Sequence, residues 1–418
     1  MGKVRGTGRL RSRRNAAAMM SRFGEHVTKH KRALASALTL AVAIGVAGAT
    51  LPGSTATTAT AAESPTTTDD SRLHDLLRRL TTVDGAPGAL AEVRDQRGST
   101  VLTSGVGNVR SEEPVHRDSR FRIGSMTKMF TATAVLQLVG ERQVDLDAPV
   151  ERYLPGVVRG HGNDGREITV RQLLQHTSGL PDFLDYLKPQ EVIEDPLARH
   201  DPRDLVDTAL EHPPVFEPGS DWGYSNTGYL LAGMIIERVT GHTYGEVIRE
   251  RIIEPLRLRE TFVPRDAEIP RPRPRGYAQP GEDAPLLDIT RVDPSVGGAA
   301  GGMISSGTDV NRFLDALLRG DLLRPAQLRE MMTTRSTGSA DGRAYGLGLE
   351  TRKLPGGDRY WGHTGDFLGY ETMAAATVDG RGATVMVNLG PGGSDAQSDD
   401  IEAAVRTALS EGRPAARR

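Results

Sequence analysis

Apolar residues recur along this chain with two different periods, and the switches between them mark out its architecture. Ser71 precedes Leu73, Leu76, Leu77 and Leu80, the one-sided stripe of a short capped helix. Positions 89–95 and 99–105 then alternate apolar and polar residues around Gln96-Arg97-Gly98, the pattern of a β-hairpin. From about residue 126 to 332 the helical period dominates, and it predicts helices over 126–139, 170–174, 228–239, 244–253, 308–318 and 325–332. Strand patterns return over 345–352, 359–362, 369–378 and 383–389, ahead of a last helix over 401–409. Strands at both ends with helices between them imply an α+β fold, one sheet completed by the C-terminal strands and interrupted by a helical insertion. Arg271-Pro272-Arg273-Pro274-Arg275 is too proline-rich for a core element and reads as a surface loop. No internal repeat is visible.

The first 62 residues follow neither period. Residues 1–32 carry ten Lys or Arg against one acid, Glu25, and residues 33–62 carry no charge. An apolar run over 33–51 leads to Ala59-Thr60-Ala61, the small-residue pattern that a signal peptidase accepts. The expected organisation is a signal peptide and leader over 1–62, a linker over 63–70, one domain over 71–412 and a C-terminal tail over 413–418. The expected location is secreted. The basic segment is long for a signal, which translation from Met19 or Met20 would explain, and the apolar run approaches the ~20 residues that span a bilayer. An uncleaved N-terminal membrane anchor is therefore the second reading. Arg13-Arg14 is followed by Asn15-Ala16-Ala17 and makes a weak twin-arginine signal. With the leader cleaved, no stable membrane span is expected in the remainder.

Removing the leader changes the charge picture. The whole chain has a formal net charge of −2, but the +9 of residues 1–32 leaves the rest at −11. So acidic a body, with no sustained basic stripe, argues against nucleic acid as a partner. Cysteine is absent, which removes disulfides, thiolate nucleophiles, zinc knuckles and iron–sulfur clusters together. Any chemistry here uses oxygen or nitrogen.

Ser125 precedes a helical pattern, with Lys128 three residues on and therefore on the same face. Serine is a weak nucleophile until a base takes its proton, and a lysine in a dry pocket can be that base because desolvation disfavours its charged form. Alone, Ser-x-x-Lys is a weak signal and reads more readily as a helix cap followed by a solvated lysine. The habits of this chain shift the balance: beyond residue 32 it has 39 Arg and three Lys, so Lys128 departs from a near-uniform use of arginine. Arginine cannot give up its proton in a protein, whereas lysine can. Tyr224-Ser225-Asn226 alone reads as a turn and cap, and His363-Thr364-Gly365 as a strand ending at a glycine turn. Together they are more specific, because Ser-x-x-Lys, Tyr-x-Asn and His-Thr-Gly each occur once, in that order, about 100 and then about 140 residues apart.

On these motifs the chain resembles the serine β-lactamase and DD-peptidase (penicillin-recognising) family, in particular the class C β-lactamases and secreted actinomycete-type D-alanyl-D-alanine carboxypeptidases. The likeness runs from about Leu73 to Leu409 and includes Arg122-Ile123-Gly124, the stretch Leu173-Leu174-Gln175-His176-Thr177-Ser178-Gly179-Leu180-Pro181, Pro218-Gly219, Tyr345-Gly346-Leu347-Gly348 and Gly362. It implies an antiparallel sheet flanked by helices, with a mainly helical second lobe and the active site between the two. It further implies acyl transfer through a covalent serine ester, with Ser125 attacking and Lys128 and Tyr224 sharing the proton transfers. Which of the two is the base stays open. The resemblance puts the oxyanion on the backbone N–H groups of Ser125 and Asp366, the amide of the acyl side chain on Asn226, and the leaving-group side near His363, Thr364 and Gly365. Lysine often stands in that family where His363 stands here, which suggests pH dependence near neutrality. Trp222 and Trp361 each lie two residues before a motif, as pocket walls or as packing. His176 reads as support for a turn, since no Gly-x-Ser-x-Gly elbow accompanies it. No cofactor and no metal site are implied.

Two positions depart from the carboxypeptidase pattern. Glu350 stands where an arginine following Gly-Leu-Gly-Leu is understood to hold the terminal carboxylate, and Asp366 follows His-Thr-Gly in place of a small hydroxylated residue. Two acids there would repel a peptide terminus, although Arg352, on the same strand face, could substitute. The expectation is a serine hydrolase acting on small peptides, amides, esters or β-lactams, with D-alanyl-D-alanine peptides first. D-stereospecific aminopeptidase or amidase, carboxylesterase and class C-like β-lactamase activities are the alternatives. A non-catalytic penicillin- or peptide-binding protein is the rival from another class.

Overall fold

In a computed structural model, residues 68–95, 98–187, 192, 194–279, 284–390 and 396–410 are described. The expected leader, the tail over 413–418 and Lys188 lie outside them. Helix α1 (Thr68–Thr82) begins within the stretch expected to be linker and buries Leu73, Leu77 and Leu80. Strands β1 (Gly88–Asp95) and β2 (Gly98–Asn108) form the expected hairpin, with Asp95 opposite Gly98. Strand β3 (Glu113–Pro114) follows, and six further strands come from the C-terminal part: β4 (Arg335–Ser336), β5 (Ala344–Tyr345), β6 (Glu350–Lys353), β7 (Arg359–Phe367), β8 (Tyr370–Thr377) and β9 (Gly382–Val387). The sheet order is β4-β5-β6-β7-β8-β9-β1-β2-β3, antiparallel throughout. Pairing of β1 with β9, Ala89 against Val387, joins the two ends of the chain into one sheet.

Alternation along these strands serves two layers. Ala89, Ala91, Val385 and Val387 face α1 and the C-terminal helix over Ala396–Ser410, whereas Leu90, Met386 and Ala374 face the larger core shared with the helical insertion. In the insertion, α2 (Thr127–Gly140) has eleven of its fourteen residues buried, which makes it a central helix with no solvent face. Around it lie α3 (Val170–Gln175), α4 (Pro202–Leu210), α5 (Asn226–Thr240), α6 (Gly307–Arg319) and α7 (Pro325–Met332). Phe130 of α2 stacks on Phe313 of α6 at 3.9 Å between centroids, and α6 also packs on β9, so the helical lobe is fastened to the sheet. The architecture is the expected α+β arrangement of an antiparallel sheet and helices.

The local differences have identifiable causes. The strand expected over 345–352 is a hairpin, β5 and β6, whose turn needs Gly348 at φ +79°. Its backbone lies directly on α2: a Cβ at Gly348 would meet Ala132 Cβ at 2.5 Å and Lys128 O at 2.9 Å. The helix expected over 244–253 turns π-helical at Arg249–Ile253. Helix α4 carries a start signal that the apolar period alone did not reveal, Asp201 capping Arg203 N–H with Pro202 in the first turn.

Candidate active site

Ser125 stands at the mouth of α2, in a 3₁₀ turn over Gly124–Met126 that the helix continues from Thr127. Gly124 has φ +50°, and a Cβ there would meet the Asp366 backbone at 2.5–2.7 Å; a Cβ at Gly365 would meet Ile123 O at 2.1 Å. These two glycines let the serine turn and β7 approach backbone to backbone. Strand β6 pairs with β7 only as far as Gly362, so residues beyond it present a free edge. There Thr364 N–H donates to Glu350 Oε1 at 3.1 Å. By the two-residue period, Asp366 N–H faces the same side, toward the Ser125 turn.

Lys128 is fully buried, and its Nζ donates to Ser125 Oγ (2.9 Å), Asn226 Oδ1 (2.7 Å) and Ala300 O (2.8 Å). Desolvation pulls its pKa down to about 7, against the upward pull of Asp182 and Asp366. Asn226 and Ala300 offer Lys128 oxygens that can only accept, so a neutral amine must give them its two N–H bonds. Its lone pair is then left for the Ser125 hydroxyl. Asn226 is itself oriented by Asp182, whose Oδ2 accepts from Nδ2 at 2.9 Å. One amide hydrogen of Asn226 remains for a ligand.

Tyr224 enters from the segment before α5, its ring 4.8 Å from Lys128 Nζ and 4.2 Å from the His176 ring. Burial pushes its phenol well above the usual value, with a hydrogen bond to Ser125 the opposing influence. It is a protonated phenol at neutral pH. His176 ends α3 in the left-handed conformation, φ 60° and ψ 36°, and its Nδ1 accepts from Ser225 N–H at 3.1 Å. The expected turn-supporting role is what it performs, directly beneath Tyr224.

His363 is buried on β7, with Nε2 2.7 Å from Tyr345 Oη and Nδ1 2.5 Å from Thr364 O. Desolvation lowers its pKa to about 4, Glu350 opposing and Lys128 reinforcing the shift. The expectation that His363 brings pH dependence near neutrality is therefore corrected: the ring is neutral there, and Lys128, at about 7, and Asp366, raised to about 8, are the cleft groups poised in that range.

The cleft is bounded by Ser125, Tyr224, Asn226, His363, Thr364 and Asp366, with an apolar wall of Phe183, Leu184, Leu187, Val296, Phe367 and Leu368. Trp222 lines it; Trp361 does not. Two residues along β7 from His363, Trp361 is displaced by ~6.6 Å and packs in the core instead. The charge expectations need the same correction. Glu350 is buried and compensated, with Arg343 Nη1 at 3.4 Å and Arg352 Nη2 at 4.0 Å. Arg352 does not substitute as a carboxylate holder, because Glu402 and Asp341 engage it away from the cleft. Arg343 does line the cleft. The Asp366 side chain is exposed to the cleft; desolvation by the surrounding walls raises its pKa, as do Glu371 and Glu350, while Lys128 lowers it.

The structure thus gathers Ser125, Lys128, Tyr224, Asn226, His363, Thr364, Gly365 and Asp366 at one cleft and leaves out Trp361. Sequence reasoning missed Asp182, Arg343 and the carbonyl of Ala300. Asp182 directly follows the quoted Leu173–Pro181 stretch, a usable hint, whereas Arg343 sits in a polar turn with no pattern of its own. Among the described residues, no group of His, Asp and Glu is arranged to hold a metal, and no helix is long and apolar enough to cross a membrane.

Comparison with known proteins gives a consistent picture. The family described as Beta-lactamase matches residues 73–408. Penicillin-binding protein 4* of Bacillus subtilis is 28% identical over 297 residues, 66% of this chain and 62% of its own. Esterase EstB of Burkholderia gladioli is 33% identical over 278 residues, 59% and 67% of the two chains. The chain spans about three fifths of the length of the first curated relatives it matches. Among solved structures, a D-stereospecific amidohydrolase from Streptomyces sp. superposes with TM-score 0.75 and 41% identity over 80% of this chain and 98% of that one. A D-amino acid amidase from Ochrobactrum anthropi SV3 superposes with TM-score 0.72 and 28% identity over 82% and 98%.

Proposed function

Because the chain belongs to the β-lactamase family and is a serine hydrolase of it, we propose that it hydrolyses amides and short peptides of D-amino acids with apolar side chains, through an acyl-Ser125 intermediate. The observation that carries the chemistry is the buried amine of Lys128, 2.9 Å from Ser125 Oγ and pulled down to about 7. Lys128 takes the serine proton, and Ser125 Oγ attacks the carbonyl carbon. The developing oxyanion is met by the N–H groups of Ser125 and Asp366, donors of a kind worth ~3 kcal/mol of barrier each. The proton passes to the leaving nitrogen through Tyr224, which is already a phenol. A water then attacks the ester carbonyl, the same groups act in reverse, and the acid leaves.

The substrate class follows from the walls. An apolar side chain fits against Phe183, Leu184 and Phe367, and a free α-ammonium finds the exposed Asp366 carboxyl, whose ionised form it would favour. The 41% identity to a D-stereospecific amidohydrolase supports this reading. Arg343, a cleft-lining guanidinium, favours the second reading, carboxypeptidase action on D-alanyl-D-alanine peptides. A substrate panel decides between them. D-phenylalanine amide and D-alanine p-nitroanilide should be cleaved faster than diacetyl-Lys-D-Ala-D-Ala, nitrocefin and p-nitrophenyl esters, and L-phenylalanine amide should be a poor substrate. Preferential release of D-alanine from the carboxylate-terminated peptide would reverse the assignment. A fluorophosphonate should label the wild type and leave Ser125→Ala unlabelled but folded; activity retained in that variant would defeat the mechanism. Export is part of the same reading, and N-terminal sequencing of protein from the culture medium should find processing near Ala61.

A further inference from the structure

The Tyr345-Gly346-Leu347-Gly348 turn lies outside the proton path of Ser125, Lys128 and Tyr224, yet Gly348 lets it press against α2 beside Lys128. The Tyr345 side chain is fully buried, its ring edge-on to His363 at 5.6 Å between centroids and 4.7 Å from the His176 ring. Hydrogen-bond logic fixes the roles. Thr364 O can only accept, so the His363 Nδ1 facing it at 2.5 Å must carry the proton. In a neutral ring Nε2 is then an acceptor, and the hydroxyl of Tyr345, 2.7 Å away, is its donor in preference to the other acceptor facing Tyr345, the Tyr229 oxygen, whose own proton goes to Leu174 O.

We propose that Tyr345 is a positioning residue that locks His363 as the Nδ1–H tautomer by donating to Nε2, so that the imidazole serves the cleft as a fixed, non-titrating wall. Both ring nitrogens are spoken for, and neither is free to shuttle a proton to a substrate. The charged and titratable groups around the ring act on it from every side. Glu350 on β6 favours its protonation, Lys128 on α2 and Arg343 before β5 oppose it, and Tyr224 lies 6.3 Å away between ring centroids. An imidazolium so near Lys128 would disturb the amine on which acylation depends, so holding the ring neutral leaves the pH response of the cleft to Lys128 and to Asp366, whose carboxyl is raised to about 8. The inference rests on the reading of this cleft as the hydrolase site, but its primary test needs no turnover.

Nitrogen NMR of the labelled wild-type protein should find a pyrrole-type Nδ1 and a pyridine-type Nε2 for His363, unchanged between about pH 5 and 9. Protonated Nε2 in the neutral ring would overturn the proposal outright. Tyr345→Phe keeps the ring and its packing and removes the one hydroxyl. In that variant His363 should begin to titrate within the window, kcat/KM at pH 6 should fall about tenfold, the scale of one lost hydrogen bond, and the acid limb should be steeper than that of wild type by up to one proton. If the titration of His363 and the shape of the profile both match wild type, Tyr345 only packs, and the proposal falls. Failure of the hydrolase reading would instead leave the NMR result intact with no fluorophosphonate labelling.

Discussion

Single residues decide the chemistry here through the environments that their neighbours impose. Lys128 can serve as the proposed base because burial disfavours its ammonium more than Asp182 and Asp366 stabilise it. Its neutral form predominates above about pH 7, so kcat/KM for an uncharged ester should rise through that pH and level off once Asp366, raised to about 8, has also ionised, with no contribution from His363. Asp182→Asn removes the carboxylate that pulls Lys128 upward while an amide still reaches Asn226. The acid limb should then move to lower pH than in wild type, and a limb that stayed in place or moved up would contradict the electrostatic account. Ser125, Lys128, Tyr224 and His363 were legible in the sequence because each belongs to a short motif. Asp182 and Arg343 were not, since nothing local to either residue announces that a fold will carry its charge to someone else's motif. For the same reason the net sign of the cleft was misread: Glu350 looked like a bare acid until Arg343 was brought to its side.

Elements matter through the backbone approaches they permit. The predicted helices and strands largely exist, because apolar period is a direct consequence of which face is buried. Where the expectations slipped, at the hairpin between β5 and β6 and at the 3₁₀ turn bearing Ser125, glycines had broken the regular period for a tertiary purpose. Gly365 tests that purpose. A Cβ there would meet Ile123 O at 2.1 Å and Thr372 Oγ1 at 2.4 Å, so Gly365→Ala must push β7 away from the serine turn. Loss of one oxyanion donor from register should lower kcat about a hundredfold, with ~1–3 kcal/mol of destabilisation from overpacking. Gly140→Ala is the matched control, since its Cβ would meet nothing closer than 3.5 Å. It ends α2 and should be neutral or stabilising by up to ~1 kcal/mol. Equal losses in the two variants would mean that the contact between β7 and the serine turn has no special part in catalysis.

At the scale of the whole molecule, the cleft depends on a sheet closed by its two chain ends, and that closure carries its own pH dependence. Asp84, buried just after α1, faces Asp400 of the C-terminal helix, which Arg79 of α1 also engages. Desolvation first, then the hydrogen bond and charge of Asp400, raise the Asp84 pKa from 3.8 to about 6. A carboxyl raised on folding binds its proton more tightly in the native state than in the unfolded one. Its contribution to stability is therefore fully present below about pH 4, declines as pH rises through about 6, and stays lost above that. Asp84→Asn replaces the acid by a permanently neutral group of similar shape that can still donate to Asp400. The variant should melt higher than wild type at pH 7.5, and the difference should shrink steadily toward pH 4. A Tm difference independent of pH would indicate packing alone, and a wild type that melts higher at pH 7.5 would mean that the ionised Asp84 is held by Arg79 after all. Because α1 and the C-terminal helix cover the face of the sheet opposite the cleft, the variant should leave the pH profile of kcat/KM unmoved, separating the ionisation that closes the fold from the one that activates Ser125.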